Sequence, residues 1–412
     1  MNNKKKFRKF NEIGEEEISA VLEVMRSGEL SKFLGEWDPD FYGGRLVNTV
    51  QKSFAEYFDS KHALAFNSWT SGLVAAIGAL EIEPGDEVIV TPWTMSATAT
   101  SILHWNAIPV FADIDLKTYC LDLQSVESMV SNRTKAIMSV DIFGQSANVE
   151  GLMSIANKYG LKVISDSAQA PGAVRGNKKA GTLGHVGGYS LNYHKHIHSG
   201  EGGVLVTDDP IIAERSGLIR NHAEAVVEGA GVKNLSNMLG HNFRMNEIEA
   251  AIANQQLKKL DRIIARRQAQ AASLTQRLSN LPGLITPYVD KGNTHVYYIY
   301  AMQIEKDLGI DKFQIVNKLT ELGVPNLTTS YRNLHLLPLF QEKIAYGRNG
   351  IPWNLQNSTK EISYSKGICP NAEYLQDIGY FGFYINEFDL DEHDLEFIGE
   401  KFHQVWKFFG LN

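Results

Sequence analysis

Residues 191–203, LNYHKHIHSGEGG, place one lysine among three histidines and end in a glycine-rich run. Two kinds of chemistry fit these residue types. Histidines spaced two apart share one face of an extended chain, and neutral imidazole is a common metal ligand. A desolvated lysine amine, in contrast, is a nucleophile that forms Schiff bases with carbonyl compounds. The segment therefore raises two hypotheses, a metal site formed by His194, His196 and His198 and a covalent site at Lys195.

The surrounding sequence shows which elements must position this segment. Between residues 61 and 208, stretches of helical periodicity alternate with short β-rich runs, namely HALAFNS, EVIVTP, IPVFADI, KAIMSVDIFG and LKVISDSA. Continuous apolar strands that alternate with helices predict an α/β fold, a mostly parallel sheet with helices on both faces. A helix-favouring segment over residues 246–281 follows, and then strands (HVYYIYAMQI, GYFGFYIN) mix with helices. We therefore predict a large α/β domain over residues 1–255 and a small C-terminal α+β domain over residues 256–412.

Ligands of such sheets bind beyond the carboxyl ends of the strands, and Asp166 stands at the end of the predicted strand LKVIS. A carboxylate there could bind a ribose, a metal ion or a cationic ring nitrogen. Aspartate and serine also cap helices, and Ser167 follows Asp166 directly. A purely structural helix cap is therefore as good an interpretation of Asp166 as a ligand-binding role.

The stretch NSWTSG, residues 67–72, lies between a predicted strand and a predicted helix. Hydroxyls and free backbone N–H groups at a helix N-terminus form an anion site, although plain capping explains the same residues. The stretch is not a P-loop, and no G-x-G-x-x-G motif follows the first strand, so ATP and NAD are disfavoured as ligands.

The order of these features favours the lysine over the histidines. A lysine taken at random is usually a surface residue. Lys195, however, comes after a hydroxyl-rich helix start and a strand-end aspartate, and glycines that let another backbone approach follow it. Metal-ligating histidines usually donate to an acceptor and share the ion with a carboxylate, and neither group is obvious directly beside these histidines. We therefore predict a covalent role for Lys195 and no metal site.

Composition excludes several classes of protein. The 412 residues are 43% hydrophobic and carry a net charge of -7, so the basic footprint of a nucleic-acid-binding protein is missing. No signal peptide is evident, and no apolar run approaches the ~18 residues of a membrane span. The two cysteines, Cys120 and Cys369, form no CxxC pair, so a disulfide framework is not expected. These features predict a cytoplasmic protein.

The succession of motifs resembles the DegT-type (DegT/DnrJ/StrS) sugar aminotransferases, enzymes of fold type I that use pyridoxal 5'-phosphate (PLP). In that family the reactive lysine stands five residues before a Gly-Glu-Gly-Gly run, and Lys195 stands five residues before Gly200-Glu201-Gly202-Gly203. The segments GAVRGNKKAGTLGHVGGYSLNYHK and GHNFRMNEIEAAIA are also similar to the family. The likeness begins near residue 10, covers nearly the whole chain and is strongest between residues 60 and 255.

The resemblance implies roles for individual residues. Lys195 would bind PLP covalently and later move a proton, and Asp166 would pair with the pyridinium nitrogen so that the ring acts as an electron sink. Gln169 would lie near the ring hydroxyl, and this complete set argues against a non-catalytic sensor. Asn242 would reach the phosphate of the neighbouring subunit, which implies a homodimer with shared active sites. The other expected PLP contacts are Thr70, Ser71 and Ser190 at the phosphate and Met95 or Trp93 over the ring.

The resemblance also implies L-glutamate as the amino donor and a keto-sugar as the acceptor. The candidate substrate contacts are His194, His196, His335 and Arg220. One branch of the family replaces the lysine with histidine and removes a sugar hydroxyl. Because this chain keeps Lys195, transamination is favoured, and a PLP-dependent sugar dehydratase is the alternative.

Two segments bear on the acceptor. FLGEWDPDFYGG and NYHKHIHSGEGG are similar to a subgroup that modifies Kdo, a sugar of lipopolysaccharide. The substrate would then be 8-oxo-3,8-dideoxy-manno-octulosonate and the product 8-amino-3,8-dideoxy-manno-octulosonate. Many relatives instead act on a nucleotide-linked 4-keto-6-deoxyhexose, which is the alternative acceptor. Arginine binds a sugar carboxylate and a nucleotide phosphate equally well, so arginines do not separate the two.

Overall fold

The computed structural model describes residues 5–355 and 362–411, and helices alternate with strands along the first half of the chain. The helices are α1 (Glu15–Ser27), α2 (Arg45–Phe58), α3 (Trp69–Ala79), α4 (Ser96–His104), α5 (Leu123–Met129), α6 (Val149–Tyr159), α7 (Pro210–Arg220), α8 (Ala223–Val226), α9 (Glu247–Leu257), α10 (Leu260–Leu278), α11 (Lys312–Glu321), α12 (Pro338–Gln341), α13 (Pro370–Tyr374) and α14 (Glu392–Phe408). The strands are β1 (His62–Phe66), β2 (Glu87–Val90), β3 (Ile108–Phe111), β4 (Thr134–Val140), β5 (Lys162–Asp166), β6 (Val174–Arg175), β7 (Lys178–Lys179), β8 (Val186–Ser190), β9 (Gly203–Thr207), β10 (Leu284–Ile285), β11 (Tyr300–Ile304), β12 (Leu327–Thr328) and β13 (Tyr380–Phe383).

A seven-stranded sheet of order β1-β9-β8-β5-β4-β2-β3 forms the centre of the molecule. Neighbours from β8 to β3 pair in parallel, whereas β9 runs antiparallel to both β1 and β8. Helices α4, α5 and α6 connect β2, β3, β4 and β5, which is the usual connection between parallel strands. The connection from β5 to the parallel strand β8 instead contains the short strands β6 and β7. The predicted mostly parallel sheet is therefore confirmed.

Both faces of this sheet are covered by helices. Side chains of a strand point alternately to opposite faces. Leu64 and Phe66 accordingly pack in a core with α3, α4 and α7, whereas Ala65 packs in a second core with α2 and α9. Burial on both faces explains why the strands read as continuous apolar runs in the sequence.

A second, antiparallel sheet of order β10-β11-β13-β12 lies in the C-terminal half and packs with α10, α11 and α14 around its own core. The helix-favouring segment over residues 246–281 contains two helices, α9 and α10. The domain boundary at residue 255 stays a prediction. Across the described ranges 5–355 and 362–411, the helices are all too short or too polar to cross a membrane.

The run HVYYIYAMQI is a strand only over Tyr300–Ile304. Its first half instead bonds to the loop that follows β4 of the large sheet, since Val296 N–H donates to Gly144 O at 2.7 Å and Tyr298 N–H donates to Phe143 O at 2.8 Å. These bonds carry the chain from the second sheet to the carboxyl edge of the first, where the candidate site lies.

Candidate active site

Asp166 ends β5 with a buried carboxylate that three donors hold in place. The Trp69 indole Nε1–H donates to Oδ1 at 2.8 Å and the Thr98 hydroxyl donates to Oδ2 at 2.8 Å. The Ala168 backbone N–H donates to Oδ1 at 3.2 Å. The side chain is 5% exposed, so a negative charge is fixed at the carboxyl end of the central strand.

The N-terminus of α3 lies beside this carboxylate, because Trp69 is its first residue. Ser68 caps the helix: its Oγ accepts from the Ser71 backbone N–H at 3.1 Å and lies 2.9 Å from the Ser71 hydroxyl. The next residue, Thr70, is exposed. A helix start leaves its first N–H groups without intrahelical partners and carries partial positive charge, so hydroxyls and dipole together suit a phosphate.

Ser190 reaches the same place from β8. It pairs with Gly203 of β9, and a Cβ at Gly203 would lie 2.4 Å from the backbone nitrogen of Trp69. Only glycine permits this approach of β9 to the start of α3. The last glycine of the GEGG run therefore brings the Ser190 side of the sheet and the helix N-terminus together.

Lys195 stands on a loop between β8 and β9 that closes on itself. The Leu191 N–H donates to Gly202 O at 2.9 Å, and the Lys195 N–H donates to Asn192 O at 2.9 Å. The Asn192 side-chain amide donates to both carboxylate oxygens of Glu201, at 2.9 and 3.0 Å. The lysine is thus presented by a bonded loop joined to two buried strands.

The amine of Lys195 is poised for nucleophilic chemistry. Burial lowers its pKa to about 8, and the nearby charge of Asp166 acts in the opposite direction. Its Nζ lies 4.5 Å from the ring centroid of Tyr298, a cation–π contact. A lysine with a pKa near neutrality has a useful neutral fraction under ordinary conditions, which is what covalent bonding to a carbonyl requires.

The three histidines face different partners. His196 is fully buried, and its Nε2 bonds the Val296 carbonyl at 2.7 Å. His198 accepts from the Gly200 N–H at 3.4 Å. His194 is half-buried next to Tyr298, with 6.0 Å between the ring centroids, and burial lowers its pKa to about 4. Within the part of the chain that the structure describes, no three His, Cys, Asp or Glu side chains are grouped to hold a metal ion.

Gln169 links Asp166's strand end to a distant loop. Its Oε1 accepts from the Phe143 N–H at 2.9 Å, and its Nε2 donates to the Tyr331 hydroxyl at 2.9 Å. Both ends of the amide are therefore fixed, which holds its plane in one orientation. Asp141, at the end of neighbouring β4, has a different environment, because it accepts from Ala147 N–H at 2.8 Å and its pKa is raised to about 6 by burial.

Trp93 and Met95 differ in exposure. The Trp93 ring is fully buried, 5.8 Å from the ring of Tyr331 and 5.4 Å from that of Tyr380. Met95 is 59% exposed at the start of α4, the helix whose Thr98 bonds Asp166. Of the two side chains, only that of Met95 is open to a ligand.

Asn242 is exposed and lies beside the residues that precede α3. Its carbonyl accepts from the Asn67 side-chain amide at 3.5 Å, and its Oδ1 accepts from Arg244 Nε–H at 2.8 Å. It is thus next to the helix start of its own chain. A contact with a neighbouring subunit stays a prediction.

Arg220 and His335 are both fully buried with internal partners. Arg220 donates to the Ala65 carbonyl at 2.8 Å and to Gln51 Oε1 at 2.7 Å. His335 Nε2 bonds Glu373 Oε1 at 2.9 Å. These bonds explain both residues as parts of the packed interior, and their roles toward a substrate stay predictions.

Four residues of the site were not predicted from the sequence: Trp69, Thr98, Tyr298 and Tyr331. Trp69 lies within the NSWTSG stretch, and an indole N–H in a buried helix start needs an acceptor, so this partner of Asp166 had a local signal. Tyr331 and Gln169 are 162 residues apart in sequence, and no spacing rule connects them.

The described side chains fit PLP. A buried carboxylate suits a pyridinium nitrogen, a helix start with hydroxyls suits a phosphate, and a lysine of lowered pKa suits the aldehyde. Here these features are Asp166, the Ser68–Ser71 turn and Lys195, and hydrogen bonds or close packing join their segments.

Comparisons with known proteins support the same assignment, an enzyme that uses PLP. The DegT/DnrJ/EryC1/StrS aminotransferase family matches residues 11–366. The spore coat polysaccharide biosynthesis protein SpsC of Bacillus subtilis is 33% identical over 349 residues, covering 82% of this chain and 86% of that protein. GDP-perosamine synthase of Caulobacter vibrioides is 34% identical over 300 residues, covering 72% and 78%. The aminotransferase from Psychrobacter cryohalolentis superposes with a TM-score of 0.83 at 26% identity, over 98% of this chain and 100% of that one.

The fold and the arrangement around Lys195 define a PLP-dependent aminotransferase of fold type I. The chain belongs to the DegT/DnrJ/EryC1/StrS aminotransferase family. The predicted fold class, family, enzyme class and cofactor are thereby confirmed.

Proposed function

We propose that this enzyme transfers the amino group of L-glutamate to a keto or aldehyde group of a sugar by ping-pong transamination. The observation that carries the proposal is the amine of Lys195, with a pKa lowered to about 8, in a site whose buried carboxylate is Asp166. Bound PLP supplies an electron sink that makes a hydrogen on the carbon next to the amino group acidic. Lys195 then takes up and returns that proton, a task for which a pKa near the working pH is best suited.

The other residues bind and orient. Asp166 places its negative charge toward the ring nitrogen, and Gln169 orients its amide toward the ring hydroxyl. Thr70, Ser71 and Ser190 bind the phosphate, and Asn242 supports the phosphate of a partner subunit in a homodimer with shared sites. The open position of Met95 supports a thioether packed over the ring, with Trp93 buried behind Tyr331. The enzyme works in the cytoplasm.

For the acceptor we propose 8-oxo-3,8-dideoxy-manno-octulosonate, which would become 8-amino-3,8-dideoxy-manno-octulosonate for lipopolysaccharide. The likeness of FLGEWDPDFYGG and NYHKHIHSGEGG to enzymes of Kdo modification supports this choice. His194 lies beside Lys195 and is neutral at neutral pH, because burial lowers its pKa to about 4. Its imidazole can therefore donate a hydrogen bond to a sugar hydroxyl or accept one from it.

A nucleotide-linked 4-keto-6-deoxyhexose is the second candidate acceptor. The observation in its favour is the 34% identity to GDP-perosamine synthase of Caulobacter vibrioides. A sugar dehydratase is the remaining candidate reaction, and the retained Lys195 favours transamination over it.

The test is nitrogen transfer from 15N-labelled L-glutamate. The holoenzyme is incubated separately with 8-oxo-3,8-dideoxy-manno-octulosonate and with GDP-4-keto-6-deoxymannose, and the sugar is analysed by mass spectrometry. Label in the octulosonate supports the proposal, and label in the deoxyhexose supports the second candidate. Deoxygenation of a sugar without label uptake would contradict transamination.

A further inference from the structure

A cavity of about 310 Å³ opens beside Lys195. One wall is the lysine loop, a second is the segment after β13, and the third comes from the N-terminus of the chain. Its lining includes Lys9, Glu12, His194, Lys195, Asn386 and Glu387. The cavity therefore adjoins the reactive amine but is built largely from residues outside the central sheet.

The N-terminal wall is held in place rather than loosely attached. The Phe10 N–H donates to Glu387 O at 2.9 Å, and Lys9 lies opposite Phe388 in an antiparallel bridge. The Phe7 ring packs at 5.9 Å from that of Phe388. This pairing presents Lys9 at a defined position on the cavity wall.

The carboxylates that line the cavity bond to groups other than Lys9. Glu12 forms an ion pair with Arg262, and the Glu387 carboxylate accepts from the Asn326 amide. His194 is neutral, because burial lowers its pKa to about 4. Over residues 5–355 and 362–411, no carboxylate lies within ion-pair distance of Lys9. Among the described residues of the lining, Lys9 and the protonated fraction of Lys195 are thus the positive charges without an ion-pair partner.

We propose that Lys9 binds an anionic group of the acceptor sugar, a carboxylate or a phosphate, while the carbonyl end of that sugar faces Lys195. The inference rests on the proposed function and adds the residue that binds the anionic group of an acidic keto-sugar. A lysine ammonium is a flexible point charge that suits either anion. Because the contact lies away from the reacting carbon, it stabilises the bound sugar and the transition state equally and acts on KM.

The kinetic test compares Lys9→Gln with Lys6→Gln in the holoenzyme. Lys6 is an exposed lysine of the same segment that does not line the cavity, so both variants lose the same charge. Lys9→Gln should raise KM for the acceptor about tenfold, the loss of one charged contact, with kcat and KM for L-glutamate within about twofold. Lys9→Arg should restore most of the affinity, and Lys6→Gln should match the wild type.

A binding measurement separates the two sources of the anion. Isothermal titration calorimetry uses 3-deoxy-manno-octulosonate as the carboxylate probe and GDP as the phosphate probe, each with wild type, Lys9→Gln and Lys6→Gln. Weaker binding of the first probe to Lys9→Gln alone identifies a sugar acid, and weaker binding of the second identifies a nucleotide-linked sugar. Absence of wild-type binding to both probes at millimolar concentration would contradict the proposal.

Failure of this inference differs from failure of the proposed function. If the wild type aminates a sugar and Lys9→Gln behaves like Lys6→Gln, or changes only KM for L-glutamate, the role of Lys9 is wrong and transamination stands. If the wild type transfers no nitrogen to either candidate acceptor, the proposed function itself is wrong.

Discussion

The two sides of Lys195 are built in different ways. The proposed cofactor side consists of Asp166, Gln169, the start of α3 and Ser190, all at the carboxyl edge of one sheet. The proposed acceptor side includes Lys9 and Asn386, which come from segments far apart in the sequence. The Asn386 amide donates to the His194 carbonyl at 2.8 Å across 192 residues of sequence. A sheet edge thus constrains which residues can bind the cofactor, whereas the acceptor side can vary without changing the sheet.

The largest effect is expected from Asp166→Asn on the cofactor side. The substitution removes the negative charge opposite the ring nitrogen, and breaking a buried charge pair costs about 3–5 kcal/mol. We therefore expect PLP affinity and the rate of the half-reaction with L-glutamate to fall by about a hundredfold or more. Both are measured by absorbance of the bound cofactor during titration and after rapid mixing.

Asp141→Asn is the matched control, because Asp141 directly follows the neighbouring strand β4 and is also buried. Its carboxylate bonds the Ala147 N–H and the Ser167 hydroxyl, which an amide can also satisfy. The half-reaction should stay within about threefold of the wild type. An equal loss in both variants would show that Asp166 has no special role toward the cofactor.

Tyr298 contacts Lys195, which lies between the cofactor side and the acceptor side. Its contribution is tested by Tyr298→Leu and Tyr298→Phe. The aromatic ring stabilises the charged form of Lys195 by a cation–π contact worth about 0.5–2 kcal/mol. Its removal should lower the pKa of Lys195 below its value of about 8, by about one unit. Phenylalanine keeps the ring and should keep the pKa.

The readout is the rate at which the apoprotein reacts with trinitrobenzenesulfonate at Lys195, located by peptide mapping, as a function of pH. Only the neutral amine reacts, so the rate rises with pH up to the pKa of Lys195 and then levels off. The midpoint should move to lower pH in Tyr298→Leu alone. An unchanged midpoint in that variant, or an equal shift in both, would contradict the role of the ring.

The smallest effect is expected from Tyr331→Phe, which removes the acceptor for the Gln169 amide. A hydrogen bond contributes about 0.5–1.5 kcal/mol, so PLP affinity should fall about twofold to tenfold. Tyr380→Phe is the control, since the buried Tyr380 hydroxyl has no hydrogen-bond partner among the described residues. A loss of affinity in Tyr380→Phe of the same size would show that the Tyr331 effect comes from packing.

The mostly parallel sheet that holds Asp166 and Ser190 could be predicted from the sequence for a physical reason. Alternating buried strands and helices imply a sheet edge, and the distance from Lys195 to the glycine run is a local feature. Tyr298 escaped prediction because its run has strand periodicity throughout, although its first half leaves the second sheet to bond Phe143 and Gly144. Tertiary bonds of this kind override local pattern.

For the three histidines, in contrast, the spacing in the sequence suggests a shared face that the structure does not have. His194, His196 and His198 have a spacing that suits one face of a strand, but the loop around Lys195 is not extended. His196 consequently points to the Val296 carbonyl in the interior. The spacing of residues predicts a shared face only where the secondary structure is regular.

The most direct test of the central claim is the absorption spectrum of the purified protein before and after L-glutamate is added, with Lys195→Ala measured alongside. We expect a yellow cofactor band in the wild type that L-glutamate converts to the spectrum of pyridoxamine phosphate, and no lysine-bound band in Lys195→Ala. A wild-type protein that stays colourless after PLP is added, or a band that neither L-glutamate nor the substitution changes, would contradict the assignment of Lys195 as the cofactor lysine.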